Sequence, residues 1–555
     1  MDESTFETIR NVSDLKESGL ERRSFMHRIV GSGAAVTLGS SLAGCTGDGD
    51  ADGVPNELVV ARAGDADNLD PHVTTAQYAS YVMSLIYDPL MLLDFDGAPT
   101  PALGNGWEVS DDETEWTIEL KDGVEFHNGD QLTADDVVFT FNRLLEESSL
   151  GWTVGSLQEI EEIDEMTVRF YFEEPYAPWT THTTSAYFGI LPRGPVEDDP
   201  DSFAVNPIGT GPYELTEWAR DDRIVLERND NWVADTYPEV QSDDPPNPQQ
   251  ITIRIIPEDT PRIQELETGG IDMIIDDLPP REVQGLEDNN DIEVFSYLST
   301  NYNYVQIHNQ LAPTDEVEVR KAMAYAINRE QIIQNIHFGM AEPNPAPISE
   351  NLLGWGGEQI RERDLDYEYD PETAREFLED AGWEDTGGEV RERNGEELHL
   401  EMVAPNAPSA ALQTAEEVMA MLTDVGFSVD LTPFEPATAN VEMEEGDYHV
   451  HGFSALAWVD PSVMAFQLHS DNIPFTNSGR VAVDAIDENI DRGNAAIDPD
   501  ERAEYYQQAQ IEAMERAVCV PLMTTIDSVA HQQEVSGFDV HPTTLSHIFH
   551  DVTME

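Results

Sequence analysis

Cysteine is nearly absent from this chain of 555 residues, which contains only Cys45 and Cys519. Two cysteines cannot build a framework of several disulfides or a metal site made of several thiolates. Cys519 lies in the apolar run Ala517–Pro521, which predicts a buried and unreactive thiol. Cysteine chemistry is therefore not expected to carry the function.

Basic residues are also scarce, with 28 Lys and Arg against 111 Asp and Glu, a net charge of −83 and only three lysines. No basic stripe exists to neutralise phosphates, which argues against nucleic-acid binding. The chain is nevertheless 40% hydrophobic and holds nine tryptophans, which indicates a folded protein with an acidic surface. Such self-repulsion needs screening, and the Debye length falls to about 3 Å at 1 M salt. We expect a halophilic protein that unfolds below about 1 M salt.

Motifs for catalysis and cofactor binding are missing as well. The sequence has no Gly-x-Ser-x-Gly nucleophile elbow and no phosphate-binding P-loop. His449 and His451 flank one residue and would share a strand face, but no third ligand follows at usable spacing. We therefore expect no enzyme, no resident metal and no cofactor. A secreted lipoprotein hydrolase is retained as an alternative.

The N-terminus has the order of an export signal. Arg22 and Arg23 form an arginine pair, a weakly apolar run of 14 residues follows from Ile29 to Leu42, and Cys45 comes after Leu-Ala-Gly. The run is too short for a permanent membrane-spanning helix, which needs about 20 residues. These features predict a twin-arginine lipoprotein signal peptide over 1–44, a lipid on Cys45 and a flexible tether over 45–55.

Local signals predict several elements in the remaining chain. Glu57–Ala61 has the composition of a buried strand. Thr133 is a suitable N-cap for a helix whose first turn carries two aspartates. Asp370 is expected to cap a second helix, with Pro371 in its first position and Gly382 at its end.

Eight short motifs follow one another in a fixed order: Leu69–Pro71, Val124–Gly129, Leu132–Val137, Pro207–Tyr213, Val319–Arg329, Tyr369–Ala374, Gly446–Tyr448 and Trp458–Pro461. Together they resemble the family 5 extracellular solute-binding proteins, the dipeptide- and oligopeptide-binding components of ABC importers. The resemblance implies a two-lobed α/β fold of the periplasmic-binding-protein type (cluster C). It also implies an extracellular monomer, anchored by its lipid, that delivers a peptide or another small solute to membrane permease subunits.

The resemblance also implies a division into lobes. Lobe I would comprise 56–75, 186–300 and 521–555, with an inserted subdomain over 76–185, and lobe II would comprise 301–520. The chain would cross the hinge near Thr300-Asn301 and near Val520-Pro521.

The ligand site of the resembled family holds an extended peptide by backbone pairing and its amine by an aspartate. Strand addition of this kind gives affinity without reading side chains. Trp458 would form a flat wall and Asp460 a countercharge. The site residues implied here are Ser454, Leu456, Ala457, Trp458 and Asp460, with Gln77 and Tyr78 from the N-terminal ligand loop.

Two alternatives remain open at this site. Trp458 is equally suited to core packing, and Asp460 to capping the turn that begins at Pro461. Peptide-binding members usually carry one Asp soon after the Trp and a separate Asp-Pro later, whereas here only Val459 separates Trp458 from Asp460-Pro461. The solute could therefore be an oligosaccharide, an opine or a nickel complex instead of a peptide.

Overall fold

The computed structural model describes residues 56–95, 97–233, 245–276, 278–407, 409–435, 438, 441, 443, 446–541 and 547–554. The predictions for Arg22, Arg23 and Cys45 lie outside these residues. In the part of the chain that is described, no helix is both long and apolar enough to cross a membrane.

The described helices and strands alternate along most of the chain. The helices α1–α15 are Gln77–Ile86, Ala134–Glu147, Trp179–His182, Arg193–Asp198, Pro200–Phe203, Asp259–Glu267, Pro280–Glu287, Val317–Ala326, Arg329–Ile336, Gly357–Glu362, Pro371–Asp380, Ser409–Asp424, Met464–Leu468, Asp484–Ala495 and Pro499–Glu515. The strands β1–β12 are Glu57–Arg62, Met91–Leu93, Pro99–Pro101, Gly104–Val109, Glu115–Leu120, Leu157–Asp164, Thr167–Phe172, Tyr213–Ala219, Arg223–Arg228, Gln250–Ile255, Met273–Ile274 and Ile292–Ile307. The strands β13–β23 are Ala341–Pro343, Glu392–Arg393, Glu396–Glu397, His399–Pro405, Ser428–Phe434, Val450–Leu456, Cys519–Gln532, Val535–Ser536, Asp539–Val540, His547–Ile548 and Thr553–Met554.

One large mixed sheet organises the fold. Its strand order is β17-β16-β18-β12-β19-β11-β1-β10-β9-β8, and β13 pairs with β19 beside this path. The two longest strands, β12 and β19, are antiparallel partners at the centre. Strands β11, β1, β10, β9 and β8 lie beyond β19, whereas β18, β16 and β17 lie beyond β12. The mixed α/β fold expected from the sequence is confirmed.

The central pair is irregular at two places. Its register shifts between Leu298 and Tyr302, and again between Asn303 and Tyr304, which face Met523 and Pro521. Register shifts of this kind bend a strand and increase its local twist. The long ribbon thus changes direction in the middle, between the strands that extend the sheet on either side.

A second sheet, of order β4-β5-β7-β6, is fully antiparallel and lies within residues 104–172. Helix α2 packs near it, and Val137, Phe141 and Leu144 share the apolar core of this sheet. The same continuous core includes residues of β1, β9 and β10. A separate core forms around β16, β18 and helices α8, α11 and α12.

Both helices whose first residues were predicted from capping signals begin where the sequence predicted. The Asp136 carboxylate accepts a hydrogen bond from the Thr133 backbone N–H at 3.1 Å, as in a capping box. The Asp370 carboxylate accepts from the N–H groups of Glu372 and Thr373 at the start of α11. Gly382 follows the end of α11 with a φ of +83°, a conformation that favours glycine. Cys519 is a free, buried thiol, also as expected.

Candidate ligand site

Among the residues that the structure describes, strand β18 has one edge without a partner strand along most of its length. Strand β12 pairs with it from Val450 to Leu456, but β16 pairs with it only at Val450 and His451. Within the described residues, no second strand accompanies Gly452–Leu456. The backbone groups on that edge are a template that an added extended chain can pair with.

The side chains of this stretch differ in exposure. Ala455 and Ala457 are exposed, and Leu456 is half-buried. Ser454 is nearly buried, and its Oγ lies 2.7 Å from His451 Nδ1. Ser454 is thus held by the protein through its side chain, whereas the two alanines leave room over the strand for another molecule.

Asp460 is fully buried and paired with a cation of the chain. Its two carboxylate oxygens accept hydrogen bonds from Arg502 Nη2 at 2.7 and 2.8 Å, and Oδ1 also accepts from the Ser462 N–H. Burial is the largest influence on the pKa of the Asp460 carboxyl and acts to raise it, but the charges of Arg502 and His182 and the hydrogen bonds from Ser462 and Arg502 together outweigh burial, so the net shift is downward. Asp460 caps the short 3₁₀ turn Pro461–Val463. In the structure Asp460 therefore acts as a cap, and its role as a countercharge for a ligand stays a prediction.

The turn after Asp460 contacts the segment that contains the second sheet. The buried His182 ring lies with Nε2 3.0 Å from Ser462 Oγ and Nδ1 2.8 Å from the Thr153 carbonyl oxygen. A second hydrogen bond joins the Ala177 N–H to the Asn494 carbonyl oxygen at 2.8 Å. Residues 76–185 and 301–520 are thus in direct polar contact beside the predicted ligand strand.

Aromatic rings surround this contact. The Trp152 ring centroid lies 4.5 Å from that of Phe466, 5.6 Å from that of Trp458 and 5.4 Å from that of His182. Trp458 is half-buried, and Trp152 keeps 38% of its surface exposed. The Trp458 indole N–H is buried and has no hydrogen-bond partner among the described residues. Trp458 thus packs against other rings and is also close to the surface, so its position is compatible with both predictions, core packing and a wall of the ligand site.

Gln77 and Tyr78 occupy the first turn of α1. The exposed Gln77 amide donates to the Tyr81 hydroxyl at 2.5 Å, and the Tyr78 ring packs over Gly64, where a side chain would collide with it. Burial raises the pKa of Tyr81, with the negative charges of Asp276 and Asp527 adding to the effect. The Tyr81 hydroxyl, which accepts from Gln77, is therefore within electrostatic reach of Asp276 and Asp527, two carboxylates that were not predicted from the sequence.

Several residues of this region have no local signal in the sequence. Trp152, His182, Phe466 and Arg502 come from separate elements and meet only in the folded chain. Among them, only the tryptophan is of a rare residue type. The pairing of Trp458 with Trp152 required the fold to be known.

Comparisons with known proteins place this architecture. Residues 98–475 match the bacterial extracellular solute-binding proteins, family 5. The probable D,D-dipeptide-binding periplasmic protein DdpA of Escherichia coli K12 is 27% identical over 523 residues, covering 90% of this chain and 95% of that protein. The nickel-binding periplasmic protein of the same strain is 24% identical and covers 88% of this chain and 93% of its own length. The oligopeptide-binding protein AppA of Bacillus subtilis, solved with a nonapeptide, superposes with a TM-score of 0.72 at 21% identity, over 90% of this chain and 99% of that one.

The fold is thus that of a two-lobed periplasmic binding protein, as the sequence motifs predicted. The chain belongs to the bacterial extracellular solute-binding proteins of family 5. This family binds solutes outside the cytoplasm, and the expectation of a binding protein is confirmed.

Proposed function

We propose that this protein is the substrate-binding component of an ABC importer that captures peptides and delivers them to a membrane permease. It acts by binding and release, without turnover. The observation that carries the proposal is the free edge of β18 over Gly452–Leu456, next to the aromatic side chains of Trp458 and Trp152. A peptide that adds a strand there gains backbone hydrogen bonds whatever its side chains are.

Closure of two lobes supplies the transport mechanism. Lobe I comprises 56–75, 186–300 and 521–555 with the subdomain 76–185 inserted, and lobe II comprises 301–520. Both expected crossings, Thr300-Asn301 and Val520-Pro521, fall at or beside the register shifts of the central ribbon, which supports a hinge there. A ligand closes the lobes only to the extent that it binds the closed state more tightly. The hydrogen bonds from His182 to Ser462 and from Ala177 to Asn494 are then contacts between the subdomain and lobe II that belong to the closed state.

The amine of a bound peptide requires a negative group. Asp460 can act as this countercharge only if Arg502 releases the Asp460 carboxylate when the peptide binds. Asp276 and Asp527 are the competing candidates, since their charges act on the Tyr81 hydroxyl that accepts from the predicted ligand residue Gln77. The D,D-dipeptide and nonapeptide named for two relatives support the peptide reading.

The first experiment compares a set of peptides with analogues N-methylated at single backbone amides, by thermal melting in multimolar salt. A ligand at 100 times its dissociation constant adds about 2.7 kcal/mol to stability. We expect peptides to raise the midpoint and one or more N-methyl positions to abolish the rise, because methylation removes a strand hydrogen bond. Trp458→Ala should weaken binding, whereas Trp218→Phe, outside this region, should not.

A different outcome selects the second candidate solute. The nickel-binding relative, together with the shortened segment between Trp458 and Pro461, favours a metal complex as that candidate. If no peptide shifts the midpoint while a nickel chelate does, the peptide proposal is wrong and the receptor role remains.

The anchor is proposed to be a lipid on Cys45, added after export directed by Arg22 and Arg23. Mass spectrometry of the membrane-extracted protein should find a lipid-modified N-terminal Cys45. Cys45→Ser should either release the protein from the membrane or leave it there in its unprocessed form. Cys519→Ser, at the buried thiol, should leave the processed protein anchored. A Cys45→Ser protein that stays in the membrane fraction in its processed form would refute the lipid anchor.

A further inference from the structure

Strands β16 and β17 place three potential metal ligands on one face of the sheet. In β16, His399 and Glu401 alternate with the buried Leu400 and Met402, so both point to the outer face. Strand β17 is the last strand of the sheet and runs parallel to β16, with Asp430 directly beside Glu401. Because all three residues have the same parity in register, their side chains leave the sheet on the same side.

The ligand atoms of these three residues lie close together. His399 Nε2 is 3.0 Å from Glu401 Oε1 and 3.9 Å from Asp430 Oδ2, and all three ligand atoms lie within 4.8 Å of one another. In a tetrahedral site with bonds of about 2.0–2.2 Å, neighbouring ligand atoms are roughly 3.3–3.5 Å apart. Only small side-chain rotations separate this arrangement from such a site.

The imidazole of His399 has a neighbouring group at each of its two nitrogens. Its Nδ1 lies 3.3 Å from Ser428 Oγ, on the neighbouring strand. In the structure Nε2 lies 3.0 Å from the acceptor Glu401 Oε1 and therefore carries the proton. When an ion replaces this hydrogen bond, the proton can reside on Nδ1 and be donated to Ser428 Oγ, which leaves the Nε2 lone pair for the ion, as in other sites where a second group fixes the ligating tautomer. The backbone of Glu401 is fixed, because its N–H donates to His449 Nδ1 at 2.9 Å. His449 is occupied on both nitrogens, since Nε2 lies 3.0 Å from the Ala312 carbonyl oxygen, and it is not a ligand.

We propose that His399, Glu401 and Asp430 form an external binding site for a divalent transition-metal ion, separate from the ligand strand. One imidazole and two carboxylates supply three ligands, and the exposure of Glu401 and Asp430 leaves further positions to water or to an added ligand. Two carboxylates alone would be one acidic pair among many in this chain. The imidazole changes the preference, because nitrogen favours Cu²⁺, Ni²⁺ and Zn²⁺ over the alkali and alkaline-earth ions of a saline medium.

The test uses Cu²⁺ as the probe, bound to the purified protein in multimolar salt and followed by electron paramagnetic resonance. We expect one tightly bound ion whose spectrum shows splitting from a single imidazole nitrogen. His399→Asn should remove this species, and Glu401→Gln and Asp430→Asn should each weaken binding at least tenfold. An excess of Mg²⁺ should not displace the ion.

The chain offers a matched control in His469, whose Nε2 lies 3.2 Å from an Asp491 carboxylate oxygen and which also neighbours Asp471. His469→Asn should leave the signal unchanged. A signal that survives His399→Asn, or that is lost in His469→Asn, would overturn the assignment. Thermal melting of each variant checks folding, and peptide binding that persists in His399→Asn separates this site from the proposed function.

Discussion

The aspartates of two Asp-Pro pairs, Asp70-Pro71 and Asp460-Pro461, each accept hydrogen bonds from a buried arginine, yet the two pairs connect different parts of the molecule. In the first, the Asp70 carboxylate accepts from two nitrogens of Arg143 at 2.8 and 2.7 Å and from the backbone N–H of His72. Arg143 belongs to α2, and its other ion pair is with Glu147 at 2.9 Å. This pair fastens the loop after β1 to a helix that shares the same apolar core.

The second pair lies at the contact between segments. Asp460 accepts from Arg502 and from the N–H of Ser462, and the Ser462 hydroxyl lies beside His182. The Asp-Pro motif is local in sequence, but its effect is not. The turn that Asp460 fixes carries Ser462, whose hydroxyl contacts His182 of the other segment. The same dipeptide thus links elements that share one core at Asp70, and at Asp460 it forms part of the contact between residues 76–185 and 301–520, called the joint below.

The largest effect is expected for Asp460→Asn. This change leaves the buried Arg502 without its partner, and breaking a buried pair costs about 3–5 kcal/mol. Urea unfolding in multimolar salt measures the loss. Asp135→Asn is the control, since the exposed Arg193–Asp135 pair at 2.7 Å should contribute less than about 1 kcal/mol. A loss below 1 kcal/mol at Asp460 would mean that the pair is not buried in solution.

Asp70→Asn should cost less than Asp460→Asn, by the same measurement. Arg143 keeps the Glu147 carboxylate at 2.9 Å when Asp70 is neutralised, so its charge is not left alone. Combining Asp70→Asn with Glu147→Gln should remove this compensation and bring the loss up to that of Asp460→Asn. Equal losses in both single variants would show that Glu147 gives no support.

The two Asp-Pro pairs also differ in how much of their role could be predicted from the sequence. Both Asp-Pro pairs were visible, and so were the caps at Thr133 and Asp370, because a cap depends on residues within one turn. The fold followed from eight ordered motifs. Arg502 lies 42 residues beyond Asp460 on another helix, and no local pattern links the two. The sequence could therefore offer Asp460 as countercharge or cap, but not the partner that decides between them.

The histidine beside each pair should give the two regions a different pH dependence. Burial, with help from Arg143, lowers the pKa of His72 to about 3. His182 is also lowered by burial, but the nearby Asp460 opposes the shift. An unfolded histidine takes up its proton near pH 6.5, so stability is fully present above that pH and falls as the pH drops toward the folded pKa.

His72→Asn should therefore flatten the loss of stability below pH 6.5, by up to about 1.4 kcal/mol per pH unit, down to about pH 3. His182→Asn should flatten it over a narrower range, because Asp460 partly offsets the burial, and this comparison is made with a saturating peptide because the His182 contact is proposed to belong to the closed state. Urea unfolding at a series of pH values gives both slopes. Parallel curves for His72→Asn and the unmodified protein would show that His72 is solvated in solution.

The smallest effect concerns the rings that span the joint. A double-mutant cycle of Trp152→Ala and Trp458→Ala should give a coupling of about 0.5–1.5 kcal/mol, the usual contribution of an aromatic pair, in the presence of a saturating peptide, because contacts between the subdomain and lobe II are proposed to belong to the closed state. The pair of Trp107 and Trp116, whose centroids are 6.4 Å apart within one sheet, is the control and should couple with or without ligand. Coupling between Trp152 and Trp458 that arises only with a peptide bound would assign their contact to the closed state. Coupling that is absent in both conditions would remove Trp152 from this contact and leave it to the hydrogen bonds between His182 and Ser462 and between Ala177 and Asn494.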